Sequence, residues 1–341
     1  MIDWECEMGN SFLDLVKLLK GHRVFIQTHD FPDPDAIATA YGLQELLKWK
    51  GISSEICYFG SIDKINTKLL VEEYHMDIYK PTEIDRLSEE DYVITVDGQK
   101  DNSNFTDMTG AEVACIDHHP WSTQYTYQFV KHTICGACSS IITDWIIEAG
   151  MPVDRKLATI LLYGLKMDTQ SFSTGVTALD IKTFGFLNEL ADKAMLSFFE
   201  NSELELSDLR AYGAAIENVT VYEDMGFSYI PFECPDGLIA AVAEFLLAIS
   251  SVSIAVVYAN RNGGLKFSAR SVSPELNVGR LIRKALAEIG NGGGHATMAG
   301  GIIFRESLAL LGKGREIEYS IRDRFLKNEK LIKEEMRLVN V

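Results

Sequence analysis

The sequence is poor in positive charge. Lys and Arg total 32 against 49 Asp and Glu, which gives a formal net charge of −17. Such an excess opposes long-range attraction of a long polyanion, so duplex DNA is not expected as a partner and a small phosphorylated substrate fits better. Carboxylates that bind divalent cations contribute to the same sum, and the acidity is therefore compatible with a metal enzyme.

The sequence also lacks the pattern of a leader and an uninterrupted membrane span. Residues 1–10 carry Asp3, Glu5 and Glu7 in place of the basic start of a secretory leader. The most apolar stretch, residues 237–259, is interrupted by Glu244 and several serines, which favours a buried helix followed by a buried strand. We therefore expect a cytoplasmic protein with no membrane partner.

Cysteine is sparse, with six residues dispersed over 341. A chain of this length does not need disulfides, so reduced thiols are expected. The one notable pair is Cys135-Gly-Ala-Cys138, which precedes a helical run from Ser139 to Ala149. Without a second pair, structural thiols are favoured over a redox or zinc role, and a further role for these two cysteines stays open.

The apolar pattern predicts an α/β protein with two domains. Short apolar runs typical of buried strands lie at residues 24–26, 56–59, 93–96 and 113–116, with helical segments between several of them. This alternation of strands and helices indicates an N-terminal doubly wound parallel sheet. A smaller C-terminal α/β domain is also predicted, with strands at residues 227–231, 252–258 and 265–269. The predicted bounds are 1–200 for the first domain, 201–218 for a linker helix and 219–341 for the second domain.

Polar residues suited to metal ions follow three of the predicted strands. His29, Asp33 and Asp35 come after the first, Asp97 after the third, and Asp117-His118-His119 after the fourth. Ligand sites of open α/β sheets lie beyond the carboxyl ends of the strands, so these side chains should converge there.

The first of these motifs carries two prolines, Pro32 and Pro34, which favour extended backbone. Because side chains alternate along extended chain, Asp33 and Asp35 are expected to point the same way, and two close carboxylates favour an intervening cation. Carboxylates and imidazoles suit Mn²⁺ or Mg²⁺. Asp168, which ends the apolar stretch from residue 161, is a further candidate ligand. Considered by itself, an aspartate in this position is more typical of a helix cap or a surface acid.

The C-terminal half offers an anion-binding pattern. Glycines in the run from Asn291 to Gly301 allow close approach of backbone N–H groups to an anionic oxygen, and the residues after them are expected to open a helix. Upstream, Arg270 and Ser271 end a predicted strand, and an arginine there can clamp phosphate or stack on a base. The substrate-binding candidates are Arg270, Ser271, Gly292, Gly293, Gly294 and His295.

Taken together, these motifs resemble the DHH phosphoesterase family, in the branch with a C-terminal DHHA1 domain and the layout of nano-RNases and phosphatases of 3′-phosphoadenosine 5′-phosphate. The first motif is similar to the family's His-x-x-Pro-Asp-x-Asp-Ala signature at residues 29–36. Asp97, the Asp117-His118-His119 triplet and Asp168 match the second, third and fourth motifs, and residues 292–301 match the DHHA1 signature. Pro34 and Asn291 depart from the family's usual residues, but neither departure removes a ligand.

The resemblance implies a cofactor of two Mn²⁺ ions, with Mg²⁺ as the other candidate, and a hydroxide between them that attacks phosphorus. His29 and Asp33 would bind one ion, Asp35, His118 and Asp168 the other, and Asp97 both. It further implies that His119 contacts the substrate, that Asp117 orients the histidines, and that the second domain completes the site in an interdomain cleft. The residues expected to serve catalysis are His119, Asp97 and Asp117.

The resemblance leaves several functions open. The favoured one is hydrolysis of short oligonucleotides or small nucleotides such as linear dinucleotides and 3′-phosphoadenosine 5′-phosphate. The alternatives are a cyclic-dinucleotide phosphodiesterase, an exopolyphosphatase or pyrophosphatase-like hydrolase, and an inert nucleotide-binding regulator. The sequence does not fix the cleavage polarity or the oligomeric state, for which a homodimer is retained as one candidate.

Overall fold

A computed structural model of the chain describes residues 11–202, 204–272 and 276–339. The acidic first ten residues, with Cys6, lie outside the described residues. The chain divides into two compact units, the first ending at Glu203 and the second beginning at Leu204. The predicted domain bounds and linker stay predictions.

The first unit is built on a six-stranded, fully parallel sheet with strand order β3-β2-β1-β4-β5-β6. Its direction of winding reverses between β1 and β4, and in such sheets the ligand site lies beyond the carboxyl ends of the strands at this switch point. The predicted parallel α/β sheet is confirmed. The strands are β1 Val24–Gln27, β2 Ser54–Cys57, β3 Ile78–Tyr79, β4 Tyr92–Val96, β5 Ala111–Asp117 and β6 Phe129–His132.

The helices of the first unit cover this sheet with apolar surface. The apolar stripe of α2 is buried throughout, and it joins a large core with α1, α4 and α5; its residues are Ile37, Ala40, Leu43, Leu46 and Leu47. A smaller cluster around Phe25, Cys57, Val93 and Met108 forms separately from it. The helices are α1 Phe12–Leu19, α2 Pro34–Trp49, α3 Ile65–Glu73, α4 Cys138–Ala149, α5 Arg155–Asp168, α6 Ala178–Leu190 and α7 Lys193–Glu200, with a 3₁₀ turn at Pro81–Glu83.

Helices α2 and α5 approach closely because glycines lie at their contact. A Cβ atom at Gly164 of α5 would lie 2.7 Å from the Cβ of Ala38 and 3.1 Å from Oδ1 of Asp35. A Cβ atom at Gly42 of α2 would lie 2.7 Å from Cδ2 of Leu161. This contact sets the distance between the start of α2 and the end of α5, and both of these ends carry candidate metal ligands.

The second unit contains a mixed six-stranded sheet with strand order β11-β12-β10-β9-β8-β7. Strands β8 and β9 are parallel, whereas the other neighbours are antiparallel. The strands are β7 Thr220–Tyr222, β8 Met225–Glu233, β9 Ile254–Arg261, β10 Gly264–Ser271, β11 Gly290–Gly294 and β12 Met298–Ile303.

The helices of the second unit contribute to two separate apolar cores, one with α8 and α9 and the other with α10 and α11. Within the segment predicted as a linker helix, residues 201–218, helix α8 begins at Leu209, and its Ala211 and Ala215 are buried in a core of the second unit. The helices are α8 Leu209–Asn218, α9 Asp236–Leu246, α10 Val278–Ala285 and α11 Arg315–Val339, with a 3₁₀ turn at Arg305–Leu310.

The apolar stretch at residues 237–259 contains a helix and a strand, as predicted, since α9 covers its first part and β9 its last. Among the described residues, no helix is both long and apolar enough to cross a membrane.

The glycine run differs from the prediction. Residues 290–294 form strand β11 and residues 298–303 form strand β12, so the expected helix after the glycines is wrong. The glycines serve packing in this hairpin. A Cβ atom at Gly292 would lie 3.2 Å from the carbonyl oxygen of Ile282 in α10, and one at Gly290 would lie 1.9 Å from that of Ile302. Only glycine lets these backbones approach so closely.

Candidate metal centre

The carboxyl edge of the first sheet brings the six predicted metal ligands together in two groups. Ligand atoms of His29, Asp33 and Asp97 lie within 4.8 Å of one another, and so do those of Asp35, His118 and Asp168. We call them the first group and the second group. A third set, Asp97 with His118 and His119, meets the same criterion and links the two. The side chains come from the loop after β1, the start of α2, the ends of β4 and β5, and the end of α5.

His118 and Asp97 carry the features expected of ligands. The Nδ1 atom of His118 lies 2.9 Å from the carbonyl oxygen of Cys135, to which it donates a hydrogen bond. In a neutral ring this leaves the lone pair on Nε2, which is the arrangement typical of histidines that bind metals. Buried His118 Nε2 and Asp97 Oδ1 lie 3.3 Å apart, and among the described residues neither atom has a well-formed hydrogen bond. Since buried polar atoms are usually satisfied, this pair of atoms fits an electropositive ion.

Asp97 lies on strained backbone at this edge. Its φ is +53°, in the left-handed region that non-glycine residues rarely occupy, although Asp tolerates it better than most. The Asp97 N–H still bonds the Ile116 carbonyl at 3.0 Å, so the sheet continues to the turn. The turn places the buried Asp97 carboxylate 3.9 Å from His29 Nε2 and 3.3 Å from His118 Nε2. Strain of this kind persists where surrounding contacts impose it.

Asp33 and Asp35 do not share an extended segment. Asp33 is the N-cap of α2, and its Oδ1 accepts hydrogen bonds from the N–H groups of Asp35 and Ala36. Pro34 is the first helical residue of α2, where its fixed φ and missing N–H are favourable. The expectation that both carboxylates point the same way is therefore wrong. Asp33 joins the first group and Asp35 the second.

The N-terminus of α4 holds the carboxylate of Asp35. The N–H groups of Cys138 and Ser139 donate to its two oxygens at 2.6 and 3.2 Å. A helix N-terminus stabilises an anion through these unpaired N–H groups, and Asp35 is almost fully buried. Sequence reasoning considered the thiols of the Cys135-Gly-Ala-Cys138 pair and missed its backbone. The signal was the predicted helix start at Ser139; in the structure, α4 starts at Cys138 and follows β6 after a loop of five residues, 133–137.

Asp117 is fully buried and forms hydrogen bonds with both histidines that follow it. Its Oδ1 lies 2.9 Å from Nδ1 of His119 and accepts from the N–H of His118, also at 2.9 Å. Its Oδ2 accepts at 2.6 Å from the side-chain amide of Gln99, a buried residue that the sequence reasoning did not single out. The side chain of His119 is half exposed, with a ring centroid 4.3 Å from that of His118. The His119 ring that Asp117 contacts thus remains accessible.

Proton affinities in the second group reflect crowded negative charge. Burial raises the pKa of Asp35 well above its usual value, and the charges of Asp97 and Asp168 add to the effect. Burial and the charge of Asp97 raise the pKa of Asp168 to about 7. Burial opposes a charged His118, but the adjacent carboxylates, led by Asp97, raise its pKa to about 11. Without a cation, the crowded carboxylates therefore favour proton binding in this group.

Asp33 in the first group behaves in the opposite way. Burial disfavours its charge, but the nearby Lys64 and His29 lower the pKa of Asp33 below its usual value. The Nζ atom of Lys64 lies 3.6 Å from Oδ2 of Asp33. Lys64 is a second residue that the sequence reasoning missed, because it follows β2 in a loop without a recognisable motif.

The thiols of Cys135 and Cys138 are buried and free. Burial is the largest cause that raises the pKa of Cys135, to about 12, and it raises that of Cys138 well above the usual value. Both thiols are therefore protonated at neutral pH, which fits structural residues rather than nucleophiles.

The candidate substrate residues lie at one end of the second unit's sheet. Arg270 is on β10, where its Nε donates to Glu244 at 2.9 Å and its Nη1 to the hydroxyl of Ser268 at 3.0 Å. It pairs in register with Met298 of β12, directly after the exposed turn that carries His295. The N–H of Ser271 bonds the carbonyl of Thr297 in the same turn at 2.9 Å. The structure therefore brings Arg270, Ser271 and the end of the glycine strand together.

The fold and the cluster define a two-unit α/β protein with acidic and histidine side chains placed to bind divalent metal. Comparison with known families agrees with this description. The DHH family, N-terminal domain, matches residues 23–165, and the DHHA1 domain matches residues 223–311. The chain belongs to the DHH/DHHA1 phosphoesterase family.

Two relatives are similar in sequence to most of the chain. An uncharacterized protein of Methanocaldococcus jannaschii, MJ1633, is 29% identical over 279 residues, which span 81% of this chain and 57% of that relative's length. The bifunctional oligoribonuclease and PAP phosphatase NrnA of Bacillus subtilis is 24% identical, over 82% of this chain and 89% of its own.

A solved structure supports the fold independently. An exopolyphosphatase-related protein from Bacteroides fragilis superposes with a TM-score of 0.74 over 94% of this chain and 96% of its own, at 19% identity. At this identity the likeness concerns the fold alone.

Proposed function

We propose that this protein is a manganese-dependent phosphoesterase that hydrolyses short oligonucleotides or small nucleotides. The observation that carries the proposal is the convergence of two ligand groups around Asp97, with ligand atoms on Asp97 and His118 that have no well-formed hydrogen bond among the described residues. The similarity to NrnA, which is named as an oligoribonuclease and PAP phosphatase, favours nucleotides over other phosphoesters. Net charge favours small substrates over long polyanions.

In this proposal the first group, which includes Asp97, holds one Mn²⁺. The second group holds the other ion together with Asp97. The ligand types fit Mn²⁺ or Mg²⁺, since they are carboxylate oxygens and imidazole nitrogens. Two bound cations would lower the pKa of attacking water and neutralise charge on the phosphoryl oxygens. The α4 N-terminus and the Cys135 carbonyl hold Asp35 and His118 in place before any ion binds.

His119 is proposed to contact the scissile phosphate or the leaving oxygen. Its half-exposed ring remains accessible, and its hydrogen bond with Asp117 raises the pKa of His119, which favours the protonated ring as a donor. Burial opposes ionisation of Asp117, but hydrogen bonds from His119 and Gln99 lower its pKa, so it stays charged beside that donor. These two residues together can stabilise negative charge on an oxygen.

The second unit is proposed to bind the nucleotide. The Arg270 guanidinium is held by Glu244 and Ser268, so little side-chain entropy is lost when it binds a phosphate. Strand β11 lies at the edge of its sheet, and an edge strand presents N–H groups on its outer side. Ser271, Gly292, Gly293, Gly294 and His295 are the residues proposed to act with Arg270.

A hydrolysis panel with Mn²⁺ tests the proposal. The substrates are pApA, 3′-phosphoadenosine 5′-phosphate, cyclic di-AMP and pyrophosphate, and released phosphate and nucleotides are quantified. We expect turnover of at least one of the first two, and loss of more than about 100-fold in kcat for Asp97→Asn, because one electrostatic contact at a transition state is worth that much. Arg270→Gln should raise KM with kcat less affected.

Asp77→Asn is the matched control, because Asp77 is an exposed acid outside both groups and should retain wild-type rates. Preferred turnover of cyclic di-AMP or pyrophosphate would reassign the substrate class. If the wild type and Asp97→Asn are equally inactive while both bind nucleotide, the enzyme hypothesis is wrong and the protein is better described as a nucleotide-binding regulator.

A further inference from the structure

A buried carboxylate behind the metal centre belongs to neither ligand group. Asp180, in the first turn of α6, is fully shielded from solvent. Its Oδ2 accepts hydrogen bonds from the N–H and hydroxyl of Thr177, which form a capping box at the start of α6. Capping of α6 needs only these contacts. Asp180 makes further hydrogen bonds that a helix cap does not require.

These further hydrogen bonds reach the segment before and within α4. Oδ2 of Asp180 accepts from the N–H of Gly136 at 2.8 Å, and Oδ1 accepts from the hydroxyl of Ser140 at 2.7 Å. Gly136 and Ser140 lie next to the residues that hold two members of the second group, Asp35 and His118. Between them, the N–H groups of Cys138 and Ser139 bind Asp35. Just before Gly136, the Cys135 carbonyl accepts from His118.

Steric contact ties the same segment to the third member of the group. A Cβ atom at Gly136 would lie 2.6 Å from Cγ2 of Thr169 and 3.0 Å from Oδ2 of Asp180. Thr169 is buried and directly follows Asp168 at the end of α5. Residues 135–140 are thus held between Asp180 and the end of α5, and they contact or adjoin every member of the second group.

We infer that Asp180 is a positioning residue for the second metal ion, acting through residues 135–140 on Asp35 and His118. The inference rests on the proposed two-ion site. Because outer hydrogen bonds of this kind fix ligand orientation, their loss typically weakens metal affinity by about 10- to 100-fold. The first group makes no such contact with this segment among the described residues, so its ion should be unaffected.

Mn²⁺ titration of the full chain, followed by calorimetry and by the EPR signal of free Mn²⁺, tests the inference. Asp180→Ala should weaken one of two bound ions by about 10-fold or more and leave the other unchanged. Ser140→Ala should act in the same direction with a smaller effect, because it removes only one of the contacts. Thr177→Val is the control, since it removes a capping hydroxyl and keeps the contacts to Gly136 and Ser140.

If Asp180→Ala does not fold, Ser140→Ala takes its place, since it removes the contact to Oδ1 of Asp180 and keeps the cap of α6. Equal weakening of both ions, no weakening, or an equal effect of Thr177→Val would overturn the inference. Hydrogen exchange of the metal-free protein separates it from the proposed function. Faster exchange at residues 136–140 in Asp180→Ala but not in Thr177→Val supports the part of the inference that Asp180 holds this segment, and unchanged exchange there overturns the inference. Absence of Mn²⁺ binding by the wild type would instead overturn the proposed two-ion site.

Discussion

At the scale of single residues, the second group is a set of acids and a histidine that hold protons when no cation is present. The pKa of Asp168 is raised to about 7 and that of His118 to about 11. A metal ion needs the carboxylate charged and the imidazole neutral, so both groups must lose protons when an ion binds. For each proton that must be released, the apparent affinity for the metal rises about tenfold per unit increase in pH. This holds over the pH range in which the group is protonated in the metal-free protein.

The apparent affinity for Mn²⁺ should therefore rise steeply with pH. Between pH 6 and 7 both Asp168 and His118 carry protons in the metal-free state, and we expect at least about a tenfold increase over that unit. Calorimetric titration in buffers of different ionisation enthalpy measures both the affinity and the protons released. An affinity independent of pH, with no proton release, would show that the second group does not receive the ion.

At the scale of elements, the sequence predicted what local pattern determines. The apolar runs correctly located β1, β4 and β5. The polar residues that follow these parallel strands could therefore be predicted to lie at one edge of the sheet. The α4 N-terminus and Asp180 were not predicted, because their contacts join residues far apart in the chain, such as Cys138 and Asp35. The glycine run was predicted to be an anion-binding loop before a helix. Glycine is required in such a loop and equally where β11 packs closely on α10, so the sequence alone did not distinguish the two.

The α2–α5 contact gives a prediction of its own. Gly164→Ala places a methyl group 2.7 Å from Ala38 Cβ and 3.1 Å from Asp35 Oδ1, so α5 must shift. We expect a loss of about 1–3 kcal/mol in the free energy of unfolding, as for other overpacked cores, together with weaker Mn²⁺ binding because Asp168 moves with α5.

The matched control for this helix change is Gly185→Ala. Gly185 lies exposed in α6, and a Cβ atom there meets nothing within 4 Å. Its replacement should stabilise the protein by about 0.5–1 kcal/mol, since alanine is the better helix former. Denaturant unfolding of both variants checks the pair. A neutral Gly164→Ala would mean that α5 is not held against α2 as described.

At the scale of the whole molecule, the two units have different sheets and different tasks in the proposal. The first unit is a parallel sheet whose switch point gathers the ligands, and the second is a mixed sheet that presents Arg270 and the glycine hairpin. The family resemblance and the polar residues at the strand ends both predicted the cluster of metal ligands in the first unit. Net charge led independently to a small substrate, since an excess of 17 negative charges disfavours long polyanions.

The central claim is that the first unit binds two divalent ions, one in each ligand group with Asp97 common to both. Anomalous diffraction from crystals grown with Mn²⁺ tests it directly, because the scattering locates each ion. The account predicts two peaks, one coordinated by His29 and Asp33 and the other by Asp35, His118 and Asp168, with Asp97 reaching both. A single peak, or none at this cluster with Mn²⁺ in excess, would contradict it.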